Sequence, residues 1–239
     1  MTWFEVWLPV GAFGLYLFDS VLLLYSNELL FVRRGGLWSC VHVPAFLFGG
    51  RRVYLANPLT PGIPQFKVRW SESDSRQQQD DVAELDRFCR ALRPVQYMVN
   101  TLLVILLVLP VELFLFGTGV ELLVVMAAFY LVIVVALGCV YVRRQELRLT
   151  GRTFAALCFD SLACSPFAIN LVRKLTLRRS LAGNPISFAS RAFEAPALRG
   201  LIDVVAARIE AEQLREDGQT PRWMELEQYR RRLWAMRPA

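Results

Sequence analysis

Residues 95–142 read VQYMVNTLLVILLVLPVELFLF, then GTG, then VELLVVMAAFYLVIVVALGCVYV. A helix rising 1.5 Å per residue needs about 20 mainly apolar residues to cross the hydrocarbon of a bilayer. Each of the two runs, Val95–Phe116 and Val120–Val142, meets that length, and only Gly117-Thr118-Gly119 separates them. So short a connection makes the pair an antiparallel hairpin. A third apolar run, Trp3–Tyr25, predicts one more span, interrupted by Glu5 and Asp19. A fourth stretch, 153–172, is long enough but carries Asp160 near its middle and Pro166. One central Asp costs about 2.5–3.5 kcal/mol on insertion, and each strong apolar residue returns only about 0.3–0.6. This stretch is therefore expected to be re-entrant or interfacial.

The basic residues set the sidedness. Ten of the 27 Lys and Arg lie between Arg33 and Arg93, four between Arg143 and Arg152, and thirteen between Arg173 and Arg237. Basic flanks stay in the cytoplasm. Three spans with the N-terminus outside and the C-terminus inside place every one of them there, whereas a fourth span would export thirteen. The N-terminal run lacks a positive n-region and a small-residue cleavage site, so it is expected to be an uncleaved anchor. Of the basic residues 25 are Arg, which fits a GC-rich bacterial source and, with the topology, an inner-membrane location.

Around these segments the composition changes. Overall 55% of the 239 residues are hydrophobic, 20% are charged and the net charge is +6, with a mean hydropathy of +0.37. These figures exclude a disordered chain and a coiled-coil rod. Residues 27–70 hold two Gly-Gly pairs, Gly35-Gly36 and Gly49-Gly50, each between β-forming residues, which predicts two hairpins. Phe66, Val68 and Trp70 alternate with Lys67 and Arg69, predicting a further strand. The expectation is a small antiparallel cytoplasmic β insert. Residues 71–94 combine a polar linker, SESDSRQQQDD, with an amphipathic helix whose stripe is Leu85, Phe88, Cys89 and Leu92. The segment 143–179 holds a basic turn and the membrane-associated helix. In 180–239 two helices are expected: one from Pro196 to Glu216 with Leu198, Leu201, Ile202, Val205 and Ile209 on its inner face, and one capped by Thr220-Pro221. The second carries Trp223, Leu226, Tyr229, Leu233 and Trp234. The fold class is thus an α-helical polytopic membrane protein: a first helix in 1–26, the β insert, the 95–142 hairpin and a cytoplasmic helical tail.

Chemistry-bearing motifs are sparse. His42 is the single histidine, and Cys40-Val41-His42 cannot complete a zinc site alone. The cysteines at 40, 89, 139, 158 and 164 form no CxxC pair, and with the spans lacking histidine no haem or other cofactor is expected. There is no P-loop, GxGxxG or GxSxG. Ionisable residues inside spans usually face protein or water, so Asp19, Glu112 and Glu121 are candidate intramembrane polar contacts, with Asn100 or Thr101 as partners for Asp19. Arg51, Arg52, Arg173, Lys174, Arg178 and Arg179 are candidate contacts to anionic headgroups. The positive charge is explained by topology, so no nucleic-acid partner is expected. The expected partners are the bilayer and another membrane subunit. The function read from this pattern is a non-enzymatic accessory, scaffold or assembly subunit of a larger membrane complex. The alternatives are an oligomeric channel or transporter component using the acids, or a membrane-bound enzyme with a lipid-phosphate site around His42, Arg51, Arg52 and Asn57.

Overall fold

The structure, a computed structural model, describes residues 3–43, 46–69, 81–116, 119–181, 184–214 and 220–236. The linker at 71–80, Gly117-Thr118 and the Asp217-Gly218 helix stop fall outside these. The chain divides into two compact units: Met1–Leu22, Leu55–Ile63 and Asp86–Arg178 form one, and Leu23–Tyr54, Pro64–Leu85 and Arg179–Ala239 the other.

The first unit is helical. It contains α1 (Trp3–Asp19), α2 (Val82–Phe116, whose first turn lies in the second unit), α3 (Val120–Val142), α4 (Gly151–Ala163), a 3-10 helix (Ser165–Asn170) and α5 (Leu171–Arg179). Along α2 the buried residues Leu85, Phe88, Leu92, Val95, Val99, Leu102, Leu106 and Leu109 recur every three or four positions. One unbroken stripe explains why the amphipathic helix and the apolar run after Pro94 form a single 35-residue helix. At 1.5 Å per residue it is about 52 Å long, well beyond a hydrocarbon core. Near Pro94, Arg143 Nη1 at the end of α3 donates to the Ala91 carbonyl at 3.3 Å, joining the basic ends of the hairpin.

Two helices, α2 and α3, are long and apolar enough to cross a membrane. Only 33% and 28% of their most apolar windows is buried. A core helix of a water-soluble protein would be mostly covered by its own chain. Instead Val120, Leu123, Val124, Leu131 and Val134 of α3 face outward.

The continuous third span expected over Trp3–Tyr25 is not what forms. Helix α1 stops at Asp19 after 17 residues, and Val21–Leu24 is a β-strand. Ser20 makes the break: its Oγ donates to the Tyr16 carbonyl at 2.8 Å, and its own carbonyl accepts from the Ala56 N–H at 3.1 Å. The stretch 153–172 is also divided. Helix α4, capped by Thr150, packs on α3 and ends at Cys164. The 3-10 helix then packs on both α4 and α1. At 13 residues α4 is about 20 Å long, and Ser165 and Pro166 at its far end meet Phe129, halfway along α3, in one cavity wall. The chain therefore rises beside α3, turns at Cys164–Pro166 and returns toward the end of α1.

The second unit is mixed. Its strands are β1 (Val21–Leu24, begun in the first unit), β2 (Glu28–Arg34), β3 (Leu37–Cys40), β4 (Leu47–Phe48), β5 (Arg51–Leu55) and β6 (Gln65–Arg69). They form two three-stranded sheets rather than one, in the orders β1-β5-β4 and β3-β2-β6. Both Gly-Gly pairs make their hairpins: φ is +60° and +92° at Gly35 and Gly36, and +56° and +77° at Gly49 and Gly50. An L side chain is strained at these angles, so Gly36→Ala is expected to cost about 1–2 kcal/mol, read as a lower thermal midpoint of the purified protein. Helices α6 (Pro185–Ala192), α7 (Ala195–Gln213) and α8 (Pro221–Ala235) complete the unit.

The insert and the tail helices cover each other. Phe31 lies against Phe193 and Phe188 with ring centroids 4.9 and 6.0 Å apart, and Trp38 against Phe188 and Phe66 at 5.3 and 5.5 Å. The stripe Leu198, Leu201, Ile202, Val205 and Ile209 is buried, and Leu226, Tyr229 and Leu233 of α8 close over α7.

Candidate functional site

The densest polar arrangement in the first unit surrounds Arg173, which is 2% exposed. Its Nη1 donates to Asn170 Oδ1 at 2.7 Å and Ser20 Oγ at 3.1 Å. Its Nη2 donates to the carbonyls of Asn57 and Thr60. Asn170 Nδ2 reaches Asp19 Oδ2 at 3.1 Å, and Lys174 Nζ pairs with that oxygen at 3.2 Å. Tyr16 completes the group, its hydroxyl donating to the Pro58 carbonyl. A planar guanidinium with five donors suits this task, because its two arms serve different segments at once. One arm holds the end of α1 and the 3-10 helix; the other holds the rigid Asn57–Ile63 loop. The network closes upon itself. It fixes conformation and leaves Ser20 Oγ engaged with the Tyr16 carbonyl, not poised as a nucleophile.

Beside it, an apolar cavity of 380 Å3 lies among α1, α2, α3 and the turn at Ser165–Pro166. Gly11 and Ala12 open the space, and Trp7, Leu106, Met126 and Phe129 are among the residues that wall it. Its size falls within the range of small-molecule sites, about 300–1,000 Å3, and its walls offer almost nothing polar.

The structure redistributes the expected site residues. Asp19 is in a polar contact, but with Asn170 and Lys174 in place of Asn100 or Thr101. Asn100 instead borders Gly62, and Thr101 Oγ1 donates to the Tyr97 carbonyl of its own helix. Glu121 is exposed at the start of α3. Glu112 and Glu5 have side chains outside the described residues. Arg173 is not available to a headgroup, because burial and four internal acceptors occupy it. Lys174 is held by Asp19 and sits 4.6 Å over the Phe167 ring. Arg179 pairs with Glu84 at 2.9 Å. Arg178 is exposed, and so is Arg51, while Arg52 is half-buried. Of the residues named for a lipid-phosphate enzyme, His42 is exposed and Asn57 Oδ1 accepts from the Leu59 N–H.

In the second unit two buried charges escape sequence reasoning. The Glu28 side chain is fully buried, pairs with Lys67 at 3.2 Å and Arg69 at 2.9 Å, and accepts from the Tyr25 N–H at 3.1 Å. Burial pushes its carboxyl up, but the Tyr25 N–H and the two cations outweigh this and hold it below the usual value. Arg208, on the inner side of α7, donates to the carbonyls of Ser26 and Glu28. Burial, and then the charge of Arg52, lower it to about 10, so it stays protonated at neutral pH. A lone Arg within the stripe of an amphipathic helix was the available signal, and periodicity alone passes over it. Burial also pushes the Cys40 thiol up to about 12, with Arg208 acting the other way. The thiolate is the reactive form. Cys40 is therefore expected to resist iodoacetamide at pH 7.5 in the native protein and to react once it is unfolded, as peptide mass mapping would show.

Among the described residues no three His, Cys, Asp or Glu side chains are placed to hold a metal ion. What the fold defines is a mostly helical protein with a small antiparallel β component and two helices able to cross a membrane. Comparison with family models, curated proteins and solved structures finds no match.

Proposed function

We propose that the protein is an integral inner-membrane accessory, scaffold or assembly subunit of a larger complex, without an enzymatic centre of its own. The observation that carries this reading is the open surface of α2 and α3: only about a third of each apolar window is buried by the chain itself. In a bilayer such a surface meets lipid or another subunit's helices. The second unit, with its own aromatic core, then acts as a platform on one side.

The hairpin and the charge pattern together support a sidedness. Whether or not α1 crosses, α2 and α3 return residues 27–94 and 143–239 to the same face, and all 27 basic residues belong to these segments. That face is the cytoplasmic one. At 17 residues α1 is at the lower limit for a span, and its crossing places the N-terminus outside.

Solubilisation in mild detergent followed by identification of co-purifying chains tests this. A second membrane protein in fixed proportion is the expected result. A monodisperse homo-oligomer with no other chain overturns it.

A further inference from the structure

The tip of the second hairpin in the second unit has an unusual surface. Phe46 and Phe48 are 65% and 68% exposed, although they stand beside a tight Gly49-Gly50 turn that could hold smaller or polar residues equally well. The register pairs Phe48 with Arg51 and Leu47 with Arg52. Phe46, Phe48 and Arg51 therefore share one face, because side chains alternate along a strand. Arg51 carries Tyr25 into the same group: its guanidinium lies 4.6 Å over the Tyr25 ring and donates to the Tyr25 hydroxyl at 2.8 Å. Leu23, two residues before Tyr25, is exposed as well. Aromatic rings and arginines on one edge, with the apolar stems uncovered, match a membrane boundary, where rings sit at headgroup level and cations reach phosphate.

Charge selects the occupant. Between Glu28 and Glu72 there are six basic residues and no acidic one. Lys67 and Arg69 are paired with Glu28, whereas Arg51 is exposed and stacks on Tyr25. The cytoplasmic leaflet presents the matching negative surface.

We propose that the hairpin Phe46–Arg52 is a membrane-interface anchor, with Phe46 and Phe48 entering the boundary between headgroups and acyl chains and Arg51 holding an anionic lipid phosphate. The anchor rests on the membrane reading above and adds a specific lipid contact to it. It holds the second unit against the cytoplasmic leaflet, and it makes that attachment depend on anionic lipid.

The test places p-benzoylphenylalanine at Phe48 of the full chain in vesicles of phosphatidylethanolamine and phosphatidylglycerol. Parallel probes stand at Val134, exposed on α3, and at Leu214, exposed at the end of α7. Illumination is expected to give lipid adducts at Phe48 and Val134 and none at Leu214. Arg51→Gln, or vesicles of phosphatidylcholine alone, should lower the Phe48 yield about threefold or more and leave Val134 unchanged. A lipid adduct at Val134 but none at Phe48 overturns the anchor and leaves the membrane reading intact. A chain-sized adduct at Phe48 overturns it in favour of a protein partner. An unchanged Phe48 yield in the Arg51→Gln variant overturns the phosphate contact. Absence of lipid adducts at Val134 as well removes the membrane reading and the anchor together.

Discussion

Arg173→Leu is expected to lower the thermal midpoint of the detergent-solubilised protein by about 10 °C, corresponding to about 3–4 kcal/mol for a chain of this size. The variant would leave the carbonyls of Asn57 and Thr60 and the Asn170 side chain without their donor in a buried place. Each buried group left unsatisfied costs about 1–3 kcal/mol. Leucine restores some packing but none of these bonds. Arg173→Lys keeps the charge, but one ammonium cannot reach both sides of the network, so it should recover at most half of the loss. Lys174→Ala is the contrast: its pair with Asp19 is partly open to solvent, and such pairs contribute about 1 kcal/mol or less. Equal melting of wild type and the Arg173→Leu variant would show that the network is dispensable.

Glu28→Gln is expected to destabilise the second unit by about 2–3 kcal/mol at pH 7, through loss of two charge-assisted contacts from a fully buried side chain. It keeps an acceptor for the Tyr25 N–H. The same residue gives a pH signature. Its folded-state carboxyl lies below the usual value, so its contribution is complete above the unfolded carboxylate pKa of about 4.3 and is lost as pH falls through the lower folded value. Wild type should therefore melt progressively earlier on acidification below about pH 4.3, and Glu28→Gln should lack this component. Melting curves of both proteins between pH 3 and pH 7 would check it; parallel curves would remove Glu28 from the acid response.

Hydropathy was sufficient for α3 and for the apolar part of α2 from Val95 on, because a run of about 20 mainly apolar residues is too long for a strand. The Gly-Gly hairpins were equally legible, since positive φ at two adjacent positions needs that chemistry. The end of α1 was not. Val21-Leu22-Leu23-Leu24 is as apolar as the helix before it, and a hydropathy window does not separate an apolar strand from an apolar helix. The decisive feature is the Ser20 carbonyl meeting the Ala56 N–H, a contact 36 positions away. Long range also hid the polar network. Charge near a membrane segment indicates sidedness, and it says nothing of burial, so Arg173 and the exposed Arg178 read alike. The partner of Asp19 was sought on the neighbouring span because that segment is adjacent in topology. The actual partners, Asn170 and Lys174, arrive with the returning 3-10 helix and α5.

The span of sequence that the Arg173 network closes has a consequence for biosynthesis. Asn57 and Thr60 precede Arg173 by 116 and 113 residues, and Ser20 by 153. The ribosome therefore completes α1, the 57–60 loop and the α2–α3 hairpin before the guanidinium that bridges the end of α1 and that loop leaves the exit tunnel. Until then the carbonyls of Asn57 and Thr60 lack the donor that Arg173 later brings.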